Sequence, residues 1–122
     1  MYKPLNMFIK QTDELKRLIS EHPDYPIVVL CNYEVCGDDN YCWWYAPKIR
    51  FSIGEILDCE QDINDERVYT DMDDFEEDLT NMLADSGDYD EITDEEFDAI
   101  VKAELAKYDN YWKKVIQIRA DV

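Results

Sequence analysis

The chain has 122 residues, 46% of them apolar and 13% aromatic, and its 30 acidic against 12 basic side chains give a formal net charge of −18. Burying that much apolar surface offsets the entropy lost on ordering, so a disordered acidic tail is excluded and a single domain over residues 1–122 is expected. The sign of the charge argues against direct binding of phosphate backbones, and no run approaches the ~20 apolar residues of a membrane span.

Met1 to Lys10 lacks the basic and apolar stretches of a secretion signal, so a cytoplasmic location is expected, with Cys31, Cys36, Cys42 and Cys59 as reduced thiols. Thr12 to Ser20 reads as the first helix: Thr12 is a capping residue, Leu15, Leu18 and Ile19 fall at helical spacing, and His22-Pro23 ends it. Pro26 to Tyr33 contains the uncharged run Ile27-Val28-Val29-Leu30-Cys31, the pattern of a central strand buried on both faces. Gly37-Asp38-Asp39-Asn40 is turn chemistry, and Tyr41 to Tyr45 is rich in aromatics that favour strands, so the two together read as a hairpin. After Pro47, Ile49, Phe51 and Ile53 alternate with polar residues as a half-wet strand that bulges or ends at Gly54. Arg67 to Thr70 is read as a short additional edge strand.

Beyond this point the apolar period changes. Phe75, Leu79, Met82 and Leu83 form one stripe on a helix ending near Gly87, and Thr93-x-x-Glu96 is a capping-box pattern that opens a third helix carrying Phe97, Ile100, Val101 and Leu105. Tyr111 to Arg119 closes the chain as a strand with Trp112, Ile116 and Ile118 on one side, interrupted by Lys114. The expected fold is therefore α+β, a mostly antiparallel sheet of four to five strands with three helices in the order α-β-β-β-(β)-α-α-β.

The charge is confined to one stretch. Residues 55–98 hold 20 acidic residues and one basic residue, Arg67, whereas the other 78 residues hold 10 acidic and 11 basic. Asp73, Asp74, Glu76, Glu77 and Asp78 span about 9 Å of helix, roughly one charge per 1.8 Å, against one per ~1.7 Å on duplex DNA. Asp88, Asp90, Glu91, Asp94 and Glu95 continue the run across the loop between the helices. Solubility of a small domain asks only for a net magnitude of ~2 to 8, and the surplus costs stability through self-repulsion, so an electrostatic partner is expected.

Catalytic and metal readings find little support. Asp58-x-Glu60-x-Asp62 departs from the calcium-loop pattern, with Ile63 at the glycine position and Tyr69 at the glutamate position. The cysteines contain no CxxC pair, and the only histidine, His22, stands beside Pro23. Neighbouring Glu34 and Asp38 disfavour a Cys36 thiolate. No enzyme, metal or cofactor is expected. Tyr41, Trp43, Trp44 and Tyr45 have two readings, as core beneath the helices or as an aromatic interface for an Arg-rich protein.

The runs Glu21-His22-Pro23-Asp24-x-Pro26-Ile27-Val28, Asn32-Tyr33-Glu34-Val35-Cys36-x-Asp38-Asp39-x-Tyr41-Cys42-Trp43-Trp44 and Asp65-Glu66-Arg67-Val68-Tyr69 resemble small acidic proteins encoded in prophages and mobile elements of Gram-positive gut bacteria. The resemblance covers most of residues 12–83 and carries over no catalytic residue. What it implies is a context in which small acidic inhibitors, anti-CRISPR proteins and other DNA mimics among them, are common.

The function expected is non-enzymatic: a DNA-mimic-type inhibitor that occupies the basic nucleic-acid-binding groove of a host protein. Its expected contacts are Asp73, Asp74, Glu76, Glu77, Asp78, Asp88, Asp90, Glu91, Asp94 and Glu95. The alternative is a structural or assembly module, such as a homodimer formed through an open sheet edge or the aromatic strand.

Overall fold

A computed structural model describes residues 4–35, 43 and 45–122. A 3₁₀ turn at Leu5–Phe8 leads into α1 (Ile9–Glu21), followed by β1 (Ile27–Cys31), β2 (Lys48–Leu57), α2 (Met72–Asp85), α3 (Asp94–Ala106), a 3₁₀ turn at Asp109–Tyr111 and β3 (Trp112–Asp121). The chain divides into two compact units, Met1–Gly54 with Lys114–Val122, and Glu55–Lys113.

The first unit is organised around β3. Among the described residues the sheet has three strands in the order β1-β3-β2, mixed in direction, with β1 parallel to β3 and Ile27, Val29 and Cys31 beside Ile116, Ile118 and Ala120. Parallel neighbours need a long connection, and here 80 residues, 32–111, separate β1 from β3. This overturns the expected four- to five-stranded, mostly antiparallel sheet and its element order. Local hairpins were the sequence's only guide to pairing, whereas the central position is taken by the last strand, whose partners lie far away in sequence. Arg67–Thr70 is not a strand; its Tyr69 carbonyl accepts from the Leu57 N–H at 3.0 Å. The turn read at Gly37–Asn40, together with Tyr41, Cys42 and Trp44, lies outside the described residues. Trp43 and Tyr45 belong to no strand; Trp43 is 93% exposed, and the Tyr45 ring stacks on Phe8 at 5.5 Å.

The roles of two strands are also reversed relative to their composition. Among the described residues β1, uncharged and expected at the centre, is an edge strand of alternating exposure, with Ile27, Val29 and Cys31 exposed and Val28 and Leu30 half-buried. β3, with Lys113, Lys114 and Arg119, is the centre, and Val115, Ile116 and Gln117 are buried in succession because a middle strand is covered on both faces. The Gln117 amide packs on Gly54 in β2: a Cβ built there would come within 2.5 Å of Gln117 Nε2, so a larger residue would make the amide shift. Asp121 ties the strand ends together, accepting from Asn32 Nδ2 at 3.0 Å, Arg50 Nη2 at 3.3 Å and the Val122 N–H. These bonds, led by the Val122 N–H, hold its carboxyl below the usual range against the opposing pull of desolvation.

In α1, Gln11, Leu15 and Leu18 turn inward at i, i+4 and i+7, while Ile19 stays exposed. Thr12 is not the cap. It lies inside the helix, where its hydroxyl donates to the Phe8 carbonyl at 3.0 Å, because the helix begins at Ile9.

In the second unit Tyr69, Phe75, Leu79, Leu83 and Val101 form a buried cluster, flanked by Leu57, Ile63, Tyr89, Phe97, Ile100, Leu105, Tyr108 and Trp112. Phe75 is fully buried and meets Tyr69, Tyr108 and Trp112 edge-on at 5.0, 4.9 and 5.9 Å. Asp71 caps α2 by accepting from the Asp73 N–H at 2.7 Å, and Gly87, at φ 77°, takes the left-handed conformation that ends it. Thr93 caps α3 by accepting from the Glu96 N–H at 3.2 Å. The capping box is modified, in that the Glu96 carboxylate accepts from the Thr93 hydroxyl.

Candidate acidic interaction surface

Of the 30 acidic residues, 22 lie in the Glu55–Lys113 unit with only four basic residues, a local charge of −18, whereas the other unit holds eight of each and is neutral. An amphipathic helix explains how such a unit folds. Phe75, Leu79 and Leu83 share the inward stripe of α2, which leaves Asp73, Asp74 and Glu77 in water and Glu76 and Asp78 half-buried on its flanks.

The five α2 carboxylates do not act alike. Asp74 and Asp78, one turn apart, both pair with Arg67, the only cation of residues 55–98: Nη2 reaches Asp74 Oδ2 at 3.1 Å and Nη1 reaches Asp78 Oδ2 at 3.0 Å. Asp78 Oδ2 also accepts from the Tyr69 hydroxyl at 2.6 Å, and the guanidinium lies 5.0 Å from the Tyr69 ring centre. Burial pushes the Tyr69 phenol up to about 12, reinforced by the bond to Asp78 and its charge and opposed by Arg67. This cluster latches the 58–71 loop to α2, so two of the expected contact residues already serve an internal partner.

Asp73 and Glu77 are exposed one turn apart on another stripe, and Glu76 is half-buried on the opposite flank. Asp88, Asp90 and Glu91 are exposed in the loop after α2, and Asp94 and Glu95 are exposed in the first turn of α3. Among the described residues, none of Asp73, Glu76, Glu77, Asp88, Asp90, Glu91, Asp94 and Glu95 makes an ion pair. The rise along α2 separates Asp73 from Asp85 by about 18 Å. The ten expected residues therefore form two clusters, one at the start of α2 and one beyond its end.

Helix electrostatics accounts for part of this arrangement. Asp73, Asp74, Asp94 and Glu95 stand in first turns, where the macrodipole welcomes a negative charge. The dipole opposes Asp85 and Asp88 at the other end of α2, whose last turn has no basic residue. Ile63, Asn64, Asp78, Asn81, Met82, Asp85 and Ser86 line an open cleft of about 540 Å³ beside these acids. Met82, expected on the inward stripe with Phe75, Leu79 and Leu83, lies at its rim and is exposed, and Asn81 beside it carried no signal beyond its position on the acidic helix. The internal role of Arg67 was also missed, although a lone cation in an acidic run is itself a cue.

The Cys31 and Cys59 thiols are free, and burial, then the Asp58 carboxylate, raises the Cys59 thiol above its ordinary value, which keeps it protonated near neutral pH. His22 ends α1, donating its N–H to the Leu18 carbonyl, and stacks on Tyr25 at 4.6 Å. Among the described residues no three His, Cys, Asp or Glu side chains are grouped to hold a metal ion, and no helix is long and apolar enough to cross a membrane. No protein-family model matches the chain, and no curated protein or solved structure matches it.

Proposed function

We propose that the chain is a non-enzymatic, DNA-mimic-type inhibitor whose Glu55–Lys113 unit occupies the basic nucleic-acid-binding groove of a cytoplasmic protein. One observation carries this reading: outward carboxylates, unpaired by any described cation, stand even at the C-terminal end of α2, where they oppose the helix dipole and no structural gain accounts for them. Asp73, Glu77, Asp88, Asp90 and Glu91 are the principal contacts; Asp74 and Asp78 contribute while holding Arg67. Met82 and Asn81 beside the cleft supply uncharged contact. Solvated carboxylates of this kind accelerate association and make binding salt-sensitive, and the apolar contacts set residence time. A mobile-element setting, in which such inhibitors act on host nucleic-acid machinery, is the context we attach to this reading.

The test is capture of binding proteins from a Gram-positive lysate, followed by competition. A basic nucleic-acid-binding protein should be retained, released by duplex DNA, and lost as salt rises from 50 to 500 mM, a range over which screening shortens steeply. A variant with Asp73→Asn, Glu77→Gln, Asp88→Asn, Asp90→Asn and Glu91→Gln, which spares the Arg67 latch, should associate at least about tenfold more slowly and with a flatter salt slope. An unchanged rate and slope would remove the proposal.

A further inference from the structure

The ladder between β1 and β3 shows which backbone groups of β1 are left over. The Ile116 N–H donates to the Pro26 carbonyl at 2.8 Å, and the Asn32 N–H donates to the Ala120 carbonyl at 2.9 Å. Because backbone direction alternates along a strand, Pro26, Val28, Leu30 and Asn32 face β3, and the N–H and C=O groups of Ile27, Val29 and Cys31 face the open side. Among the described residues β1 has a strand neighbour on one side only. The side chains of those same three residues are exposed, Ile27 at 47% and Val29 at 63%.

Edge strands of soluble proteins are commonly guarded by a lysine, an inward charge, a bulge or a proline on the outer side. β1 has none of these. It carries no charge, and the proline before it, Pro26, faces β3, so its missing N–H leaves the outer edge intact.

We infer that this edge pairs with a second copy of the chain, β1 against β1 in antiparallel register about a two-fold axis through Val29. In that register Val29 lies opposite Val29 of the partner subunit and Ile27 opposite Cys31 of the partner subunit. Every outward N–H meets an outward C=O, and six hydrogen bonds close the pair. Charge selects the occupant. The unit that contains β1 has eight acidic and eight basic residues, so pairing through it joins two neutral units, whereas pairing through the Glu55–Lys113 unit would join two that each carry −18. The joined strands span only five residues each, well short of a standard interface of about 1,200–2,000 Å², so the dimer is weak, in the range of roughly 10–100 μM. Asp24 and Glu34, just beyond the two ends, come into register as like charges, and the dimer therefore strengthens with salt. Proposed partner binding runs the opposite way, weakening with salt, and uses the other unit, so either reading can fail alone.

Sedimentation equilibrium of the full chain from about 10 to 500 μM, at low salt and at 0.5 M NaCl, should show a monomer–dimer equilibrium that shifts toward dimer at high salt. Amide exchange followed by NMR adds the register. Exchange at Ile27, Val29 and Cys31 should slow about fivefold at a total chain concentration about ten times the dissociation constant, while Val28 and Leu30, bonded to β3, stay protected throughout. Val29→Lys, at an exposed position, should retain the Val28 and Leu30 protection and lose the dimer. A chain that remains monomeric across this range, a dimer that leaves the three outward amides fast, or a Val29→Lys variant that dimerises normally would each overturn the inference.

Discussion

Among the described residues, the unit that carries the whole net charge is also the one with the larger core. Glu55–Lys113, at −18, buries Tyr69, Phe75, Leu79, Leu83 and Val101, whereas the neutral unit buries Leu18, Val115, Ile116 and Gln117 and leaves Leu5, Met7, Ile27 and Val29 largely in water. High charge and a packed interior are compatible because a helix separates them by angle, so that carboxylates on one arc never compete with Phe75 for the other. A strand separates its faces only by alternation, and an edge strand such as β1 keeps one face and one line of backbone groups exposed whatever its composition. The acidic unit keeps its core and its charge on separate arcs; the neutral unit, among the described residues, has β1 paired on one side only.

The sharpest way to break this contrast is to empty the acidic unit's core. Phe75 is fully buried at the centre of three edge-on ring contacts. Phe75→Ala should cost about 3–5 kcal/mol, from lost burial and the cavity left behind, read as a fall in the urea midpoint with an unchanged slope. A loss below about 1 kcal/mol would mean that Phe75 does not organise the unit and that the acidic surface stands on something else.

Tyr69 gives a smaller and pH-specific effect. Its phenol is raised from 10 to about 12 by burial and by the bond to Asp78, so the folded state prefers the protonated form. That preference stabilises the fold fully below the unfolded value of 10 and is lost as pH rises through the interval from 10 to 12. The loss amounts to roughly 2–3 kcal/mol. Tyr69→Phe removes the ionisable group, so the stability difference between parent and variant should shrink and then reverse across that interval. A difference that stays constant from pH 8 to 12 would show that the Arg67–Tyr69–Asp78 latch is not closed in solution.

What was legible in the sequence follows the same division. Phe75, Leu79 and Leu83 and the cap at Thr93 disclosed α2 and α3 because helix periodicity is local: three to four residues suffice to reveal an inward stripe. Strand order is not local. Ile27–Cys31 has the composition of a sheet centre and β3 the composition of a half-wet strand, yet pairing between residues 89 positions apart decides which is covered, and no periodicity encodes that. In the candidate site, the density of carboxylates was visible. Its partition was not, because the engagement of Asp74 and Asp78 with Arg67 depends on the path of the 58–71 loop.

The smallest expected effect concerns salt, and it sharpens the comparison most directly. Carboxylates of the Glu55–Lys113 unit repel one another, and screening reduces that cost, so stability should rise from 20 mM to 0.5 M NaCl by about 1 kcal/mol. One contribution has the opposite sign. The Arg67 pairs with Asp74 and Asp78 are partly exposed and weaken in salt, but exposed pairs contribute only ~0–1 kcal/mol. The net sign therefore remains that of the repulsion. Its location is testable with two variants. Asp85→Asn with Asp88→Asn removes two charges that also oppose the α2 dipole, so it should raise stability at low salt by a few tenths of a kcal/mol and flatten the salt dependence. Lys10→Gln with Asp13→Asn, a charge-balanced change in the neutral unit, should leave the salt slope where it was. A melting temperature indifferent to salt in the parent, or a slope moved equally by both pairs of substitutions, would show that the charge is not concentrated energetically in the unit that holds it.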